Sequence, residues 1–123
     1  MLLKLSGGSM KVLVCGGRQF NNVAYLTKVL NDIYKHYGKD LCIIQGGATG
    51  ADALAKSWAK NLGLCNIQVD ANWDYYANNA GFIRNKWMIT FCNPEITIAF
   101  KGGNGTANMV KQSILNSIPT YTF

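Results

Sequence analysis

Eight of the thirteen glycines in this chain fall in three clusters whose neighbours can hold an anion. The clusters are Cys15-Gly16-Gly17-Arg18, Gly46-Gly47-Ala48-Thr49-Gly50-Ala51-Asp52 and Lys101-Gly102-Gly103-Asn104-Gly105-Thr106. Glycine permits left-handed turns and lets a ligand come close to the backbone. Where such a turn opens a helix, the first N–H groups lack partners and carry about half a positive charge, which suits phosphate. The second and third clusters lead straight into helical patterns, and Arg18 and Lys101 add fixed cations. No Gly-Lys-Ser/Thr follows the glycines, so none is a Walker P-loop, and none matches the dinucleotide Gly-x-Gly-x-x-Gly. Kinase-like phosphoryl transfer is therefore disfavoured, and phosphate binding is the chemistry these residues offer.

Other groups add to that picture. Arg84 flanks an apolar stripe (Ile83, Trp87, Phe91) and is a candidate anion contact. Asp52 sits at a helix start, where a carboxylate is stabilising with or without a ligand. Asp70, Asn72 and Asp74 are candidates for ribose or base contacts, and Trp73 can stack on a base. Metal chemistry finds no ligand set. Cys15, Cys42, Cys65 and Cys92 lie more than twenty residues apart, and His36 is the only histidine. The cysteines fall in apolar segments and read as buried reduced thiols, which fits the cytoplasm.

The elements that must position these groups alternate. Lys11–Cys15, Leu41–Gln45, Ile67–Val69, Ile96–Phe100 and Thr120–Phe123 read as strands. Between them, a helix capped by Asn22 runs to Gly38, followed by helices over Ala51–Leu62, Ala80–Phe91 and Thr106–Asn116. Asn72–Asn79 is expected to be a loop. Strands alternating with helices predict an α/β, Rossmann-like doubly wound sheet of about five mostly parallel strands with helices on both faces. Strand order is not legible from the pattern. In a parallel sheet all three glycine clusters emerge at one edge, the carboxyl end of the strands, where open α/β folds bind ligands.

A chain of 123 residues, 49% hydrophobic and 15% charged, is of one-domain size and ordinary globular composition. No apolar run approaches the roughly 20 residues that span a bilayer. Residues 1–9, with Ser6-Gly7-Gly8-Ser9, read as a linker, leaving residues 10–123 as a single domain. Removing Lys4 lowers the formal charge from +6 to +5. The remaining eleven cations are scattered singly, without a basic run or an aromatic–basic repeat.

The sequence resembles the SLOG superfamily (the Smf/DprA and LOG group), and most of all its small YspA-like branch common in bacteria and phages. The resemblance rests on Val14-Cys15-Gly16-Gly17-Arg18, Gly46–Asp52, Gly81-Phe82-Ile83-Arg84-Asn85 and Phe100–Thr106, and it covers Met10 to Phe123. It implies a Rossmann-like fold, binding of nucleotides or nucleotide-derived ligands, and pairing of copies into a homodimer or higher oligomer. The LOG enzymes release a base from a nucleoside monophosphate and carry Pro-Gly-Gly-x-Gly-Thr-x-x-Glu. Here Lys101 replaces the proline and Met109 the catalytic glutamate, while Arg84 matches the family's arginine. Cleaving an N-glycosidic bond needs a carboxylate, which a thioether cannot replace.

These readings combine into an expectation of a non-catalytic protein that senses or sequesters a nucleotide-derived small molecule, such as an ADP-ribose-type or cyclic nucleotide signal. Neither cofactor nor metal is expected. A phosphoribohydrolase-like enzyme using another carboxylate is the alternative. Handling of single-stranded DNA, as in DprA-like relatives, comes third, because only Arg18, Arg84, Lys86 and Lys101 fall near the ligand edge. A membrane partner is excluded by the same composition.

Overall fold

The computed structural model describes residues 10–123, and the linker expected at residues 1–9 lies outside the described residues. Five strands form one sheet: β1 Met10–Cys15, β2 Leu41–Gln45, β3 Cys65–Gln68, β4 Ile96–Ala99 and β5 Thr120–Thr122. Their order is β3-β2-β1-β4-β5, and all four pairings are parallel. Central strands covered on both faces read as continuous apolar runs, and Val12, Leu13 and Val14 of β1 are fully buried.

Helices α1 Val23–Tyr37 and α2 Ala51–Asn61 cover one face, packing Leu26, Leu30, Ala55 and Trp58 on Val12, Val14 and Ile43. The other face carries α4 Ala80–Cys92 and α5 Asn104–Leu115, whose Met88, Ile89 and Met109 pack on Leu13, Ile44 and Ala99. Each fully buried aliphatic side chain contributes about 1.5–3 kcal/mol. The α1 start is set as expected, with the Asn22 side chain accepting from the Tyr25 N–H at 3.1 Å. Gly38 ends α1 with a φ of 59°.

Several expectations need correction. The third strand, expected over Ile67–Val69, runs from Cys65 to Gln68. The segment 72–79 is not a loop but a short helix, α3 Trp73–Tyr76, followed by a 3-10 turn over Ala77–Asn79. Asn72 caps it by accepting from the Tyr75 N–H at 3.1 Å, a local bond that the polar composition concealed. The face of α4 turned to the core holds Ala80, Asn85, Met88 and Ile89. Phe91, expected in the buried stripe, is 77% exposed. The polar residues Arg84, Asn85 and Lys86 of α4 are consecutive and so spread around the axis among the apolar ones, and periodicity could not orient the helix. Finally, α5 begins at Asn104, two residues earlier than expected, which draws Gly105 and Thr106 into its first turn. Of the cysteines, Cys15 and Cys42 are buried, whereas Cys65 and Cys92 are only half-buried, and all four are free.

Candidate functional site

The chain leaves β1 and β4 towards opposite sides of the sheet, since β2 and β3 lie beyond β1 and β5 lies beyond β4. Between two such neighbours the connections diverge and leave a crevice at the carboxyl ends, the topological switch point. The loops after β1, β2 and β4 surround a cavity of about 560 Å³ there, closed on its far side by Trp73 and α4. Met109 and Cys15 form its floor.

The β1 and β4 loops are stitched together by the Gly17 N–H, which donates to the Lys101 carbonyl at 2.8 Å. The Gly17 carbonyl in turn accepts from the Ala51 N–H at 3.2 Å, joining the loop to the start of α2. Such closeness requires bare backbone. A Cβ on Gly16 would strike the side chains of Ala51 and Phe100, and one on Gly102 would strike Thr106 and the Gly17 nitrogen. Thr49 locks the same junction, its hydroxyl donating to the Arg18 carbonyl at 3.1 Å. Gly50 packs directly on the Gly17 carbonyl at a φ of 79°.

Asp52 is 6% exposed, and its Oδ2 accepts from the N–H groups of Gly46 and Ala48, both at 3.2 Å. Burial raises its pKa, opposed by the Ala48 N–H and the Arg84 charge. Arg84 donates from Nη1 to the Gly46 carbonyl at 2.5 Å and from Nε to the Asn85 Oδ1 at 3.0 Å. Burial lowers the Arg84 pKa while Asp52 raises it, and the guanidinium stays charged at neutral pH. Asn85 continues the chain, its Nδ2 donating to the Gly105 carbonyl and to Asn108 Oδ1, each at 3.1 Å. Arg84 is thereby oriented from both sides, by the second glycine cluster and by the first turn of α5.

The two helix starts differ. At α2, one N–H is taken by the Gly17 carbonyl and the Asp52 carboxylate stands in the first turn, which repels an incoming anion. At α5, no side chain caps the helix and no acidic residue lies in the first turn. The N–H groups of Asn104, Gly105 and Thr106 therefore have no partner inside the helix. A Cβ on Gly103 or Gly105 would meet nothing within 4 Å, so the fold itself does not require glycine at either position.

The structure brings together Gly16, Gly17, Arg18, Gly46, Ala48, Asp52, Trp73, Arg84, Gly103, Asn104, Gly105 and Thr106 around the cavity. It does not bring Gly47, Thr49, Gly50, Asp70, Asn72, Asp74, Lys101 or Gly102 to its wall. Gly47 takes a φ of 76° and packs on Asp70 and Gln68, while Asp70 accepts from Gln68 Nε2 at 2.9 Å. Asp74 lies in the first turn of α3. Arg18 sits with its Cζ 5.0 Å from the centre of the Trp73 ring, a cation–π pair on the cavity wall. Sequence reasoning did not select Asn85, Phe82 or Asn78, which also line the cavity. For Asn85 and Phe82 the available signal was their place in the Gly81-Phe82-Ile83-Arg84-Asn85 motif. Cys15 was not selected either. Its thiol is pushed up to about 12 by burial and by Asp52, so it stays protonated at neutral pH.

Five parallel strands in this order, helices on both faces and a cavity at the switch point define a Rossmann-like α/β protein. The chain belongs to the YspA, cpYpsA-related SLOG family, which matches residues 10–76. It is 27% identical over 120 residues to the gene 61 protein of Mycobacterium phage D29, covering 92% of this chain and 95% of that protein. Its fold is similar to that of DNA processing protein A (DprA) from Streptococcus pneumoniae, with a TM-score of 0.71 and 17% identity. That match covers 92% of this chain and 50% of DprA, so this chain spans half the length of that protein. A UDP-N-acetylglucosamine 2-epimerase is similar with a TM-score of 0.58 and 13% identity, over 93% of this chain and 33% of the epimerase. At these identities the two likenesses concern the fold alone. Family membership supports a role in binding or processing a nucleotide-related ligand. Among the described residues no helix is long and apolar enough to cross a membrane.

Proposed function

We propose that the domain over residues 10–123 binds a phosphate-bearing, nucleotide-derived small molecule, of the ADP-ribose or cyclic-nucleotide type, and senses or sequesters it without cleaving it. The observation that carries this reading is the uncapped start of α5. Gly103 and Gly105 are glycines the fold does not need, and they face the same cavity as Arg84. A phosphate seated there meets backbone N–H donors and a guanidinium already oriented by Gly46 and Asn85. Met109 is 1% exposed and packed in the core, which supports binding without hydrolysis. Four free cysteines fit a reducing, cytoplasmic setting. Phe91 near the end of α4 and Leu115 at the end of α5, 77% and 72% exposed, favour pairing of two copies through these two helices.

The test is a melting and calorimetry screen of mononucleotides, ADP-ribose, nicotinamide dinucleotides and cyclic oligonucleotides at low and moderate salt. A ligand at about a hundredfold excess over Kd adds about 2.7 kcal/mol to stability, a rise in Tm on the order of ten degrees. Arg84→Ala should weaken binding by about ten- to a hundredfold, with the fold checked by circular dichroism. If no small molecule shifts the melt while single-stranded DNA does so with a steep salt dependence, the reading fails.

A second reading has one observation in its favour. Asp52 is the only carboxylate lining the cavity among the described residues, and burial raises its pKa, which favours the protonated form that a general acid needs. Release of free base from nucleoside monophosphates, lost in Asp52→Ala, would establish a hydrolase. Both Asp52 bonds to backbone N–H groups argue instead for a scaffold role.

A further inference from the structure

A second depression, of about 550 Å³, lies on the other side of the stitch between Gly17 and Lys101. Its walls include Gln19, Phe20, Asn21 and Lys101. Gly17, Arg18 and Gly103 line both this depression and the site cavity, so the two meet across a shared ridge. The ridge is bare backbone. A Cβ on Gly17 would come within 3.0 Å of the Gly102 Cα and the Lys101 carbonyl, and Gly103 has open space beside it. Each compartment alone has the size of a small-molecule site. A mononucleotide seated at α5 would leave the second one empty.

The chemistry of the second compartment is that of a nucleoside pocket with a cationic rim. Arg18 and Lys101 line it, and among the described residues no carboxylate does. Phe20 is half-buried, with its ring 5.1 Å from that of Phe100, which fixes it as an apolar wall. Gln19 and Asn21 are exposed and their side chains make no hydrogen bond among the described residues, leaving amide donors and acceptors for a base edge or ribose hydroxyls. A free polyphosphate would use the cations but neither the ring nor the amides.

We infer that the ligand has two nucleoside-like halves joined through phosphates. One half lies in the cavity beneath Trp73, the other lies between Phe20 and Lys101, and the joining phosphates cross the ridge at Gly17 and Gly103 under Arg18. This inference rests on the nucleotide-binding reading above and extends it to the class of ligand.

The experiment compares, by calorimetry, adenosine, guanosine, cytidine and uridine monophosphates with the matching symmetrical dinucleoside diphosphates, on wild type and on the double variant Gln19→Glu/Asn21→Asp. Both substituted side chains are exposed, and an unchanged melt confirms the variant's fold. The dinucleotide should bind at least about tenfold tighter than its mononucleotide in wild type. In the variant that ratio should fall by about tenfold, because two carboxylates now face the second half. Equal affinities for both ligands overturn the two-part ligand and leave the nucleotide-binding reading standing. A dinucleotide preference that survives unchanged in the variant overturns the placement of the second half. Binding of neither ligand overturns the two-part ligand, and the nucleotide-binding reading falls with it when ADP-ribose, the nicotinamide dinucleotides and the cyclic oligonucleotides also fail to bind.

Discussion

Asp52 and Arg84 hold opposite ends of one residue: the carboxylate accepts from the Gly46 N–H at 3.2 Å, and the guanidinium donates to the Gly46 carbonyl at 2.5 Å. Both charges are thus spent partly on the protein itself, and they fix the loop between β2 and α2 against α4. A Cβ on Gly46 would collide with the Arg84 guanidinium, which explains glycine there without any ligand.

Asp52 should make stability depend on pH with a definite sign. Burial outweighs the Ala48 and Gly46 N–H groups and raises its pKa above the ordinary 3.8. The folded state therefore binds the proton more tightly than the unfolded state. The stabilisation from that proton is complete below about pH 3.8 and is lost as pH rises through the folded pKa. Asp52→Asn keeps an oxygen for both N–H donors and does not titrate. Melts of both proteins from acid to neutral pH should show the wild type losing ground to the variant as pH rises. A wild type that gains ground instead contradicts the assignment.

Gly47 and Gly105 should respond in opposite ways to the same substitution. Gly47→Ala forces a left-handed backbone on alanine and drives its Cβ into Asp70 and Gln68, costing about 1–3 kcal/mol. Gly105→Ala replaces a helical glycine in open space and should stabilise by up to about 1 kcal/mol. Only the second change narrows the approach to the α5 N–H groups, and nucleotide affinity should fall by about tenfold although the melt improves. Chemical denaturation and calorimetry on the same samples separate the two effects.

Trp73 is 47% exposed, with Arg18 over its ring. A base that takes the place of Arg18 on that ring makes Trp73→Ala lose about 1–3 kcal/mol of binding, the worth of one aromatic–base stack, while Trp73→Phe retains most of it. Ligand should also shift indole emission in wild type and not in Trp73→Phe, where only Trp58 and Trp87 report. An unchanged Kd in the alanine variant removes the base from this wall.

Cys15 lines the cavity with a thiol pushed up to about 12. Iodoacetamide at mildly alkaline pH should leave it unmodified in the folded protein, because the thiolate is the nucleophile. Peptide mapping should find it labelled only after denaturation. Rapid labelling of the native protein would show a more open floor than the packing implies.

The strands, the α1 cap at Asn22 and the gathering of the glycine clusters at one sheet edge were all legible in the sequence. Local patterns decide them: apolar β-branched runs make strands, side-chain oxygens cap helices, and parallel crossovers place every strand-to-helix turn at the same end. The order β3-β2-β1-β4-β5 was not legible, because it depends on which helices share a face, and no local pattern records that. The facing of α4 was hidden because its polar residues spread around the axis among the apolar ones. Only the tertiary structure separated the glycines whose bare Cα makes room for a neighbouring side chain or backbone, Gly16, Gly46, Gly50 and Gly102, from Gly103 and Gly105, where a Cβ would meet no atom of the described residues within 4 Å. Residue type reveals that a Cβ is missing; what would have occupied its place is set by chain segments far away in sequence, such as Phe100 beside Gly16.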